Sequence, residues 1–98
     1  MAKYLILWKS DNSKVPTDPK EAVALNMRQG EMTKQAMKEG KVTDWGLFPG
    51  GGGGYALAEG SALDVFTGSA QFMPYITFKV QEVLSIDEVM AAMKSMMP

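Results

Sequence analysis

KYLILWK, residues 3–9, is the stretch on which the fold turns. In a strand, Tyr4, Ile6 and Trp8 point to one side while Leu5 and Leu7 point to the other, so both faces carry bulky apolar groups. Such a strand belongs in the middle of a sheet, and water must be kept from both of its faces.

Downstream, the polar stretch SDNSKVPT leads into DPKE, where Asp18 suits a helix cap, Pro19 the first helical position and Glu21 a returning bond. The helix is predicted over 18–39, with Ala22, Leu25, Met32 and Ala36 as its buried stripe and Gly40 as its stop. Gly30, in its middle, reads as a kink, a close approach by another backbone, or a tolerated weakness. KVTDWGLF (41–48) and YALAEG (55–60) read as the second and third strands, with a run of glycines between them. Ser61 with Asp64 opens a second helix over 62–73, ending before Pro74.

YITFKVQEVL (75–84) alternates cleanly, with Ile76, Phe78 and Val80 on one face and Thr77, Lys79 and Gln81 on the other. Ser85 with Glu88 opens a terminal helix in which Ile86, Val89, Met90, Met93 and Met97 share a side. That Met face reads as packing on a sheet, its own or a partner's, or as an adaptable groove for apolar ligands. The order β-α-β-β-α-β-α fits a single α+β domain over 1–98, a ferredoxin-like sandwich with an added C-terminal helix. Its strands would lie in the order 4-1-3-2, with both main helices on one face. The second apolar face of the first strand is then bare, and a partner sheet covering it makes the protein a homodimer, unless the terminal helix folds back over it.

The stretch FPGGGGGYAL, residues 48–57, holds five consecutive glycines. A phosphate-binding loop needs a lysine and a hydroxyl after its glycines, and Tyr55 and Ala56 stand there instead. Gly51, Gly53 and Ala56 match a dinucleotide spacing only by repetition, because a strand-like segment follows where a helix is required. A mobile turn between two strands, glycine-rich throughout and tolerant of shortening, is the expectation. As a lid, the run would cover a pocket beside Trp45, Phe48 and Tyr55.

Composition narrows the chemistry. Ten basic residues against eleven acidic ones, without a Lys/Arg cluster, argue against nucleic acid. The longest apolar run, YLILW, is far below the ~20 residues of a membrane helix, so no membrane partner and a cytoplasmic location are expected. The chain has no cysteine and no histidine, which removes thiolate nucleophiles, the commonest general base and most metal sites; neither metal nor cofactor is expected. The remaining candidates for a ligand pocket are the aromatics Trp8, Trp45, Phe48 and Tyr55 and the polar groups Asp44, Lys79 and Gln81, with Thr77 and Glu59 beside them. A lysine enclosed without a partner would serve as a base or anion anchor, whereas one paired or reaching solvent is structural.

On the first strand, the proline-containing loop into a capped helix, the two joined strands and ITFKVQEVLSIDEVMAAM, the chain resembles the dimeric α/β-barrel superfamily, nearest to its small domains of unknown function. The resemblance implies a homodimer closed through its sheets. That superfamily also holds muconolactone isomerases, YCII-related proteins and antibiotic-biosynthesis monooxygenases, but the histidine-based activities do not carry over to a chain without histidine. Two functions stay open: a non-catalytic binding or assembly module, and a cofactor-free isomerase-like or monooxygenase-like enzyme. The enzyme would act on a small, partly apolar molecule held between sheet and helices.

Overall fold

The structure, a computed structural model, describes residues 2–97. Its elements follow one another as β1 (Ala2–Ser10), α1 (Pro19–Lys38), β2 (Val42–Leu47), β3 (Gly53–Gly60), α2 (Ala62–Ala70), β4 (Ile76–Val83) and α3 (Ile86–Ser95). The strands form one open sheet in the order β2-β3-β1-β4, with every neighbouring pair antiparallel. This is the expected 4-1-3-2 order read from the other edge. The molecule is a small α+β fold, compatible with a ferredoxin-like topology.

Local sequence explains most of the element ends. Asp18 caps α1 by accepting the Lys20 N–H at 3.4 Å. The expected return bond from Glu21 is not formed. At the other end, Gly40 N–H donates to Met37 O and Lys41 N–H to Ala36 O. This double closure requires a left-handed residue, and Gly40 sits at φ 79°. Ser61 with Asp64 and Ser85 with Glu88 each form the complete reciprocal capping box. The backbone and side-chain bonds from these serines hold the Asp64 and Glu88 carboxyls below the usual carboxylate range. α2 is shorter than predicted: after Ala70 the chain tightens into turns, with Phe72 N–H on Ser69 O and Met73 N–H on Ala70 O. Gly30 has open space around it, so no backbone approaches there and α1 runs through without a break.

β1 is the central strand its sequence demands. On one face, Tyr4 and Ile6 lie opposite Ala58 and Ala56 of β3 and pack with Val65 of α2 into the buried core. The small alanines let the helix come close. Right-handed crossovers β1-α1-β2 and β3-α2-β4 put both helices on this face of such a sheet. The α1 stripe is placed as predicted, with Leu25 buried and Ala22, Met32 and Ala36 half-buried. Gln29 joins that stripe, and its side-chain nitrogen is buried without a hydrogen-bond partner.

The other face is bare. Leu5 lies between Leu57 of β3 and Gln81 of β4, and Leu7 between Tyr55 and Lys79, with Leu7 44% exposed. α3 does not fold back over these residues. It projects from the sheet with Ile86, Met90, Met93 and Met97 between 58% and 72% exposed, and of its apolar side only Val89 is half-buried. The projection stretches the molecule to 64 × 26 × 20 Å, with a radius of gyration of 16.3 Å, where a compact chain of this length has about 13 Å.

The glycine run departs from expectation. Only Gly50 to Gly52 lie in the connection between β2 and β3; Gly53 and Gly54 are buried residues of β3, paired with Lys9 and Trp8 of β1. The third strand therefore begins two residues before Tyr55, and the run is not a turn from end to end. Gly51 and Gly52 have φ of 85° and 82°, backbone that side-chain-bearing residues seldom adopt.

Candidate functional site

The candidate residues fall into two groups because β2 and β3 alternate. A register shift between Val42 and Asp44 sets β2 so that Trp45, opposite Ala56, shares the helix-side face, and Asp44, opposite Leu57, shares the bare one. Adjacent in sequence, the two side chains point apart. Trp8, opposite Gly54, joins Trp45, and the two indoles stack with centroids 5.4 Å apart and planes 14° from parallel. The Trp8 indole N–H donates to Tyr55 O at 3.3 Å. Gly54 makes this packing possible, since a Cβ there would lie 2.5 Å from Trp8 Cζ2 and against the Gly46 carbonyl. Trp45 keeps 39% of its surface exposed. Phe48 lies in the connection and is exposed, its backbone clasping the loop through Phe48 N–H to Gly53 O and Gly51 N–H to Phe48 O.

The bare face gathers the other candidates. The Tyr55 ring lies over Gly46, which has no side chain to resist it, and the phenol donates to Asp44 Oδ2 at 2.7 Å. Asp44 Oδ1 accepts the Trp45 N–H at 2.9 Å, so the carboxylate is fixed from two directions. Across the sheet, Leu7 separates Tyr55 from Lys79, and Leu5 with Leu57 separates Asp44 from Gln81. At strand spacing, Lys79 stands about 10 Å from Tyr55, too far for direct contact. Lys79 and Gln81 are exposed.

Chemically this is a held carboxylate beside a phenol that keeps its proton. The hydrogen bond to Asp44 is the main cause raising the Tyr55 pKa, with desolvation and the Asp44 charge adding to it. Tyr55 is therefore a donor, not a base, across neutral pH. We expect its ultraviolet titration to lie above that of an ordinary tyrosine and to fall back in Asp44→Ala, with Tyr55→Phe identifying the transition. Coincident curves for wild type and Asp44→Ala would show that the bond does not persist in solution.

Two lysines that sequence reasoning did not single out, and the candidate Glu59, complete this face. Lys3 and Lys9 alternate with Leu5 and Leu7 on β1, and Glu59 lies opposite Lys3. The alternation in KYLILWK was the available signal for the lysines; what they face depends on register. Among the described residues, no three acidic, histidine or cysteine groups converge to hold a metal ion, and no helix is long and apolar enough to cross a membrane. Concavities along α3, lined by Met90, Ala91, Met93, Lys94 and Met97, and beside the start of α1, around Leu25, Arg28 and Tyr75, contain none of the candidate residues.

A family model described as a domain of unknown function, DUF3303, matches residues 2–97. No curated protein matches the chain.

Proposed function

The chain belongs to the DUF3303 family, and from that premise we propose that it is a homodimeric binding or assembly module: a single ferredoxin-like domain whose bare sheet face closes on a second copy as a dimeric α/β barrel. The observation that carries this reading is the row of Leu5, Leu7 and Leu57 on the face that neither the crossover helices nor α3 covers. Full burial of a leucine is worth about 1.5 to 3 kcal/mol, so a copy closing over six such residues gains enough to offset association. α3 adds a second unpartnered apolar surface. Any ligand held inside the closed dimer meets Asp44, Tyr55, Lys79 and Gln81, whereas Trp8 and Trp45 stay on the helix side.

Sedimentation at micromolar concentration tests the reading. A particle near twice 10.7 kDa is expected. A well-folded monomer at that concentration would overturn it.

A further inference from the structure

The bare face is electrically polarised from edge to edge. Asp44 stands on β2, at one edge, and Lys79 on β4, at the other, with Lys9 on β1 and the opposed pair Lys3 and Glu59 between. Edge to edge the four strands span about 14 Å, more than a Debye length at physiological salt, so Asp44 and Lys79 do not neutralise each other within one chain. Among the described residues, no ion pair engages any of these groups.

Such a face is complementary to itself in one orientation. Two two-fold axes stack a pair of sheets with their strands aligned. An axis across the strands lays each strand on its own copy. β1 then meets β1 with Lys3 over the partner's Lys9 twice, and β4 meets β4 with its lysines near each other. An axis along the strands reverses the lateral order, so β4 lies over the partner's β2 and β1 over the partner's β3. Each row of the register then meets the same row of the other copy. Lys3 comes over the partner's Glu59, Leu5 over the partner's Leu57, and Gln81, with Lys79 one row away, over the partner's Asp44. Asp44 is already held in place by Tyr55 and by the Trp45 amide, so its carboxylate needs little ordering to receive a lysine.

We infer that the occupant of this face is a second copy of the chain, related by a two-fold axis running along the strands, with Lys79 of each copy paired to Asp44 of the other. The inference rests on the homodimer reading and deepens it by assigning the orientation and the contact that selects it. Like charges brought together discriminate strongly between docking arrangements, and symmetry counts each contact twice.

The chain contains no cysteine, so single engineered cysteines report unambiguously. Mixing Gln81→Cys chains with Asp44→Cys chains and adding a short bis-maleimide is expected to link unlike chains, while Gln81→Cys chains alone link poorly. In parallel, Lys79→Glu is expected to weaken the dimer about tenfold or more, and combining it with Asp44→Lys to restore most of that loss. A wild-type dimer in which Gln81→Cys chains link to themselves, or in which the charge exchange restores nothing, overturns the orientation while leaving the homodimer standing. A wild-type monomer overturns both.

Discussion

Leu5→Asp is expected to leave the chain folded and to weaken its self-association about a thousandfold. Leu5 lies on the bare face, opposite Leu57 and Gln81 within its own sheet. In an isolated chain an aspartate there reaches water, because nothing from α1, α2 or α3 crosses that side. In the closed dimer the same carboxylate is pressed against apolar groups of the second copy. An unpaired charge so buried costs several kcal/mol, each 1.4 kcal/mol is a factor of ten, and symmetry buries two of them. The same substitution at Leu7 is cushioned by the neighbouring Lys79, which makes Leu5 the cleaner probe. Sedimentation reads the association, and far-ultraviolet circular dichroism reads the fold. A variant that sediments with an unchanged dissociation constant would remove the sheet face from the interface.

Gly54→Ala is expected to destabilise the folded chain by about 2–3 kcal/mol, lowering the melting temperature by roughly 10–20 °C, while Gly50→Ala stays within about 0.5 kcal/mol of wild type. The two glycines stand four positions apart in one uninterrupted run. At Gly50 an added methyl meets nothing within 4 Å. At Gly54 it meets the Gly46 carbonyl on one side and Trp8 Cζ2, at 2.5 Å, on the other. Neither neighbour yields easily. β3 is hydrogen-bonded between β1 and β2, and Trp8 is wedged by its stack on Trp45 and its bond to Tyr55 O. Relaxation must therefore separate strands or unstack the indoles. Thermal melts of the two variants decide the matter: equal curves would mean that the run is uniformly free. Shortening the run is tolerable only within the connection, since a deletion reaching Gly53 or Gly54 shifts the pairing of β3 with β1.

The elements of this protein were largely legible in its sequence because each is marked by a pattern close along the chain, though the start of β3 and the end of α2 were not. Period-two alternation marks β1 and β4, Asp18 and Gly40 bracket α1, and two serines with acids three residues later open α2 and α3. The apolar residues on both sides of KYLILWK suit β1 to an inner position, and the element order β-α-β-β-α-β-α implied the strand order. Tertiary structure decided everything that depends on register between distant strands. Alternation alone parts Asp44 from Trp45, but the shift between Val42 and Asp44 decides which of them joins the indole stack on the helix side and which the carboxylate–phenol pair on the bare face. Pairing with Lys9 and Trp8, more than forty residues away, turns two of five identical glycines into core positions that no local pattern distinguishes from the other three. The placement of α3 was hidden for the same reason: a methionine stripe calls for a cover but carries no address, and among the described residues Met90, Met93 and Met97 stay exposed.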